Sequence, residues 1–113
     1  MCLADFVDFF GIITGRLNLF LENTMHIDII VPVYNEEEAL PLFWQEMQKV
    51  TARLPRVQFG YVFVNDGSRD GTLTVLRAWA EKYQYVRVVS LTRNFGKEAA
   101  LTAGLDEARQ ADA

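Results

Sequence analysis

The 113-residue sequence predicts an α/β protein with a parallel sheet, and three observations carry that prediction. Short apolar, β-branched runs occur at residues 27–33, 59–64 and 86–91. Each gives way to a polar loop and then to a stretch with helical apolar spacing. The middle run places Tyr61, Val62, Phe63 and Val64 in succession, as expected of a strand covered on both faces. Three strand–loop–helix units in a row imply parallel strands with right-handed crossovers. They also bring three loops to the carboxyl edge of the sheet, where open α/β sheets bind ligands.

The first strand is Ile27-Asp28-Ile29-Ile30-Val31-Pro32-Val33, closed by Pro32, which donates no hydrogen bond to a sheet ladder. A helix over 39–54 follows, with Leu40, Phe43, Trp44, Met47 and Val50 at i, i+3, i+4, i+7 spacing. Pro41 is tolerable only in its first turn, and Pro55 ends it. This stripe is read as core packing against the sheet. The second strand leads into Asn65-Asp66-Gly67-Ser68-Arg69-Asp70-Gly71-Thr72, where two Asp-Gly pairs mark turns and Asp70 or Thr72 suits a helix N-cap. The second helix is expected to run to about Tyr83, burying Leu73, Leu76, Trp79, Ala80 and Tyr83. The third strand ends in Thr92-Arg93-Asn94-Phe95-Gly96-Lys97. The last helix starts near Gly96, reaches about Arg109, and carries Ala99, Ala100, Ala103 and Leu105 as its small or apolar side chains.

Residues 1–24 differ from this pattern. Phe6, Val7, Phe9, Phe10, Ile12 and Ile13 are interrupted by Asp5, Asp8 and Arg16, and the apolar part is too short to span a bilayer. The early charges are acidic, which does not fit a secretory signal. Three readings stand: an extension outside the fold with initiation at Met25, an amphipathic segment lying on a membrane or partner, and a helix packed on the domain. The first is adopted, giving an extension over 1–24 and a domain over 25–113.

Composition narrows the function. The length suits one small domain, and the net charge of −4, from 11 basic and 15 acidic side chains, gives nucleic-acid binding no electrostatic support. The single cysteine, Cys2, cannot form an internal disulfide, and a reducing cytosol is its easier setting. There is no Cys/His metal cluster, no Gly-x-Gly-x-x-Gly after the first strand and no Walker A loop. The one histidine, His26, sits at the strand start, away from the loops, and reads as a surface residue.

The loops hold the candidate residues. After the first strand, Tyr34 offers a flat face to a base, and Glu36 can accept from ribose hydroxyls. Glu37 and Glu38 are read as carboxylates at a helix start, where the macrodipole favours them. After the second strand, Asp66 can accept from a nucleobase imino or amino group, or can simply be an Asp-Gly turn. After the third, Arg93 and Lys97 flank a glycine at a helix entrance and suit an anionic group. A solvated charge cluster with an Asn94 cap is the competing reading.

Together these segments resemble the inverting glycosyltransferases of family 2, with their GT-A, Rossmann-like nucleotide-diphospho-sugar transferase fold. The resemblance rests on Ile29-Ile30-Val31-Pro32-Val33-Tyr34-Asn35-Glu36-Glu37, on Val64-Asn65-Asp66-Gly67-Ser68-Arg69-Asp70-Gly71-Thr72, and on Arg93-Asn94-Phe95-Gly96-Lys97-Glu98-Ala99-Ala100-Leu101-Thr102-Ala103-Gly104-Leu105. The last segment is most similar to the polyprenyl-phosphate branch, the bactoprenol glucosyltransferases and dolichol-phosphate mannose synthases. The resemblance implies transfer of a sugar from a nucleoside diphosphate donor, of UDP-glucose or GDP-mannose type, to a polyprenyl phosphate at the cytoplasmic face of a membrane. By matching position it implies Pro32, Tyr34 and Glu36 at the nucleoside, Val64 and Asp66 at the base, and Arg93 and Lys97 near the phosphates or the acceptor.

It also implies a Mg²⁺ or Mn²⁺ held by an Asp-x-Asp motif after a fourth strand, since oxygen ligands suit a hard cation that neutralises a diphosphate leaving group. No residue of this chain matches that motif, so the expectation is an amino-terminal part that binds nucleotide without catalysing transfer. Two alternatives are a non-catalytic nucleotide-binding module and an inactive gene remnant. A receiver-type signalling domain is disfavoured because the third strand ends in Leu91-Thr92-Arg93 where a phospho-accepting Asp is needed.

Overall fold

The computed structural model describes residues 3–17 and 25–112, and Cys2 lies outside them. The elements in order are α1 (Leu3–Leu17), β1 (Met25–Val33), α2 (Leu40–Thr51), β2 (Val57–Asp66), α3 (Thr72–Lys82), β3 (Val86–Leu91) and α4 (Lys97–Asp112). The strands form one parallel sheet in the order β1-β2-β3. The three β-loop-α units expected from the sequence are all present, and the architecture is α/β as expected.

The residues group into two compact units. The first comprises the described residues up to Ile27 together with Glu38–Gln58, and so holds α1 and α2. Within it Leu40, Phe43, Met47 and Val50 of α2 are buried. Pro41 falls in the first turn, where its missing N–H costs no helical bond. The helix stops at Thr51, short of the expected Leu54. A residue before proline is pushed out of the helical region, and the Leu54 N–H instead donates to the Thr51 carbonyl at 3.0 Å in a tight turn. Residues 1–24 were expected to lie outside the fold, yet Leu3–Leu17 is a helix against α2. Leu3 is buried, and the Phe6 ring lies 5.9 Å from Phe43 and stacks at 6.2 Å on Phe10. Phe6 and Phe10, four residues apart, share one face of the helix, and burying aromatic area there outweighs the weak propensity of Gly11.

The second unit, Asp28–Glu37 and Phe59 onward, holds most of the sheet with α3 and α4. β2 is central and its run from Gly60 to Asp66 is buried without interruption. Pro32 lies within edge strand β1, one residue before its end, and an edge position tolerates the missing donor. β2 and β3 pair in register from Tyr61 opposite Val86 to Asp66 opposite Leu91, so their following loops leave the sheet at the same level. Trp79 of α3 packs on Phe63 at 5.6 Å. On α4, Ala100, Ala103 and Ala108 pack with Val62, Val64 and Ile30, while Ala99 and Leu105 are exposed. The stripe of small residues brings the α4 backbone so close that a Cβ at Gly104 would collide with Ile30, and a leucine on that face has no room. Arg87 of β3 joins the ends of the unit, donating to Asp28 of β1 at 3.2 Å and to the Glu107 carbonyl of α4 at 3.1 Å. Among the described residues no helix is long and apolar enough to cross a membrane.

Candidate nucleotide site

Three loops gather at the carboxyl edge of the second unit, and two seams join them. The first seam binds the turn after β1 to the loop after β2. Asn35 takes a left-handed conformation, φ 51°, which asparagine tolerates better than most side chains. Its N–H donates to Ser68 Oγ at 2.9 Å, and its Oδ1 accepts the Arg69 N–H at 2.8 Å. The Glu36 N–H donates to Thr72 Oγ1 at 2.9 Å, and the Glu37 N–H to Asp70 Oδ2 at 3.3 Å. Glu37 Oε2 in turn accepts the Gly71 N–H at 3.2 Å, which places a carboxylate at the start of α3. Thr72 is fully buried, and its hydroxyl passes the chain of hydrogen bonds on to Asp70 Oδ1. That bond is the main reason the Asp70 carboxyl is held below its ordinary value of 3.8. Backbone N–H groups, including those of Thr72 and Glu37, lower it further, and desolvation works against them.

The second seam joins the loop after β2 to the turn before α4. Asp66 is 5% exposed, and both its oxygens are occupied: Oδ1 accepts the Phe95 N–H at 2.8 Å and Oδ2 the Gly96 N–H at 3.1 Å. Gly67 has φ 72°, and a Cβ there would overlap the Arg93–Asn94 peptide. Only glycine permits this approach.

Between the two seams lies a cleft of about 360 Å³. Its walls come from Tyr34, from Asn65, Ser68 and Arg69, and from Ser90, Thr92, Arg93 and Asn94, with Leu73 also contributing. Tyr34 is 43% exposed, so its ring is free to meet a flat ligand. The Arg93 guanidinium stands 4.6 Å from the centroid of the Phe95 ring, a cation–π contact that restrains it. Asn65 is buried and fixed, donating to Ser90 Oγ at 3.2 Å and accepting the Ser68 N–H at 3.2 Å. A polar cleft with one aromatic face and one restrained cation suits a ligand that is part planar ring and part anion.

Of the residues singled out in the sequence, Tyr34 and Arg93 share this cleft. Pro32, Glu36, Val64, Asp66 and Lys97 do not line it. The side chain of Val64 is fully buried with Val62 and Ala100. Lys97 is exposed at the first residue of α4. The sequence reading missed Asn35, Ser68 and Ser90. The one signal for Asn35 was its place in the turn two residues after a strand end, where a residue able to take positive φ is useful. Among the described residues no group of three or more His, Cys, Asp or Glu side chains converges. The donor set for a hard divalent cation is therefore not assembled by them, and no chemical step is assigned to a metal.

Comparison with known proteins places this edge. The family model described as glycosyl transferase family 2 matches residues 28–111. A prophage bactoprenol glucosyl transferase homolog from Escherichia coli is 46% identical over 84 residues, 74% of this chain and 27% of that relative. An undecaprenyl-phosphate 4-deoxy-4-formamido-L-arabinose transferase from Pseudomonas fluorescens is 39% identical over 84 residues, 74% of this chain and 24% of that relative. The chain thus spans about a quarter of the length of these curated relatives. Among solved structures, a mannosyltransferase from Pyrobaculum calidifontis in complex with GDP-Man and Mn²⁺ superimposes with a TM-score of 0.57 at 22% identity, covering 93% of this chain and 34% of that one. That likeness supports the GT-A fold, and the matched span starts at Asp28, after α1. With its family match running over all three β-loop-α units and their loops, the chain belongs to glycosyl transferase family 2.

Proposed function

We propose that this chain supplies the nucleotide-binding part of a transferase that moves a sugar from a nucleoside diphosphate donor to a polyprenyl phosphate at the cytoplasmic face of a membrane. The observation that carries the reading is the cleft at the carboxyl edge of the sheet, with the Tyr34 ring on one wall and Arg93 on another. The base and ribose lie against Tyr34, and the diphosphate faces Arg93, with Lys97 beyond it. Glu36 acts from the turn after β1, and Pro32 shapes that turn from within the strand. The relatives' names, bactoprenol glucosyl transferase and undecaprenyl-phosphate transferase, support a lipid phosphate acceptor, and the mannosyltransferase complex supports a nucleotide-sugar donor used with a divalent metal. We infer that this chain by itself binds nucleotide without catalysing transfer, a reading that rests on the family's Asp-x-Asp motif having no match in it.

Titration calorimetry of the chain with UDP and GDP, each with and without Mn²⁺, tests this. The expected result is binding that does not depend on Mn²⁺ and is weakened about tenfold or more by Arg93→Ala, the loss of one charge-assisted contact. Absence of heat with both nucleotides overturns the reading. Transfer of radiolabelled sugar from UDP-glucose or GDP-mannose to undecaprenyl phosphate by the chain alone overturns the assignment of binding without turnover.

A further inference from the structure

We propose that Arg69 is a second cation of the cleft: together with Arg93 it selects a ligand that carries two phosphates over one that carries a single phosphate. The inference rests on the nucleotide reading of the cleft and adds to it a side chain that reads the length of the phosphate chain.

Three observations carry it. The first is a local reversal of charge. The chain has a net charge of −4, with 15 acidic against 11 basic side chains, yet the cleft is lined by two arginines, Arg69 and Arg93, and by no carboxylate. A cleft walled by one sign of charge concentrates ligands of the opposite sign. The second is the state of the two guanidinium groups. Among the described residues Lys49 pairs with Glu46 and Arg87 with Asp28, while neither Arg69 nor Arg93 pairs with a carboxylate. Asp70, next in the chain to Arg69, is engaged instead by the Thr72 hydroxyl and by the Thr72 and Glu37 N–H groups. Arg69 is exposed, so no carboxylate has to be displaced when an anion enters. The third is where the two side chains are rooted. The Arg69 N–H donates to Asn35 Oδ1 at 2.8 Å, so its backbone is fixed by the first seam, while Arg93 stands at the second, against Gly67. Two guanidinium groups rooted on separate seams border one space of about 360 Å³. They offer two places for a phosphate, and each planar fork can engage two of its oxygens.

Calorimetry in EDTA compares the full chain with Arg69→Gln, using uridine, UMP, UDP, GDP, inorganic phosphate and inorganic pyrophosphate as probes. Glutamine keeps the backbone N–H that Asn35 accepts and removes the charge. In the variant UDP, GDP and pyrophosphate are expected to bind about tenfold more weakly, UMP about threefold or less, and uridine within about twofold of wild type, as for loss of one charge-assisted contact to the second phosphate. An unchanged preference for UDP over UMP overturns the proposal, because it leaves Arg69 a solvated surface cation. A loss for uridine as large as that for UDP also overturns it, because it gives Arg69 a structural role. Should the wild-type chain bind pyrophosphate but neither UDP nor GDP, the nucleotide reading fails on its own. The preference for pyrophosphate over phosphate then decides: a fall in Arg69→Gln upholds the two-phosphate site, and no change overturns it. Binding of none of these anions by the wild-type chain overturns both readings.

Discussion

The two seams that join the loops use opposite constructions. The seam between the turn after β1 and the loop after β2 is distributed: five hydrogen bonds link Asn35, Glu36 and Glu37 to Ser68, Arg69, Asp70, Gly71 and Thr72. The seam between that loop and the turn before α4 is concentrated on one carboxylate and one glycine. A distributed seam can lose one bond and keep its course, because its neighbours hold the same backbone. A concentrated seam fails as a unit. In this chain the distributed seam lies behind Tyr34, and the concentrated one carries Arg93. The aromatic wall of the cleft is thus set by redundancy and the cationic wall by a single point, which is where substitution should have the greatest effect.

The strongest way to break the comparison is Gly67→Ala. The new methyl group meets the Arg93–Asn94 peptide, and the residue must hold a φ of 72° that suits glycine. Backbone strain and overpacking together are expected to cost about 3 kcal/mol, read from the urea midpoint at unchanged slope. Amide shifts should concentrate at residues 93–97, leaving Tyr34 to Glu37 near their native positions. Loss confined to the first seam instead would mean that the two seams are not independent.

Thr72→Val probes the distributed seam at its most buried member. Valine keeps the shape but removes the acceptor for the Glu36 N–H and the donor to Asp70. One half-buried amide is left without its partner, at an expected cost of about 1–2 kcal/mol by chemical denaturation. The affinity for UDP or GDP should stay within about twofold of wild type, because the remaining bonds keep Tyr34 in place. An affinity loss of about tenfold or more would show that the first seam is as concentrated as the second.

What the sequence disclosed and what it hid follow from the range of the interactions. The three strands and their helices were legible because β-branched runs and i, i+3, i+4 spacing are local signals that burial enforces. Tyr34 and Arg93 both line the cleft, and their places just after β1 and β3 pointed to that edge, although Arg93 read equally well as part of a solvated charge cluster. The seams were not legible, because their members lie 29 to 36 residues apart and are joined through backbone N–H groups that every residue but proline possesses. Asp66 illustrates the limit. A carboxylate after a buried strand reads equally well as a ligand group and as a turn, and its bonds to the Phe95 and Gly96 amides emerge only in the folded chain. Leu105 shows the converse case. Its apolar side chain is exposed, because the close packing at Gly104 reserves the buried face for small side chains, which residue type alone does not disclose.

The smallest expected effect concerns Asp70, and it measures how far the distributed seam extends. The Thr72 hydroxyl is the largest of the influences that lower this carboxyl below 3.8, and the backbone N–H groups add to it. A lowered folded value means that the ionised form is favoured in the fold. Its contribution is therefore fully present above about pH 4, the ordinary carboxyl range, and is lost as pH falls through the folded value. The carboxyl is exposed, so solvent screening keeps the consequence for stability slight. A carbon-13 titration of the Asp70 carboxyl should show a midpoint below 3.8 in the native chain. In Thr72→Val the midpoint should rise toward 3.8, because the largest lowering influence has been removed. A native midpoint already at 3.8 would take Asp70 out of the seam, leaving Asn35, Ser68, Arg69, Glu36, Thr72, Glu37 and Gly71 to hold the first two loops together.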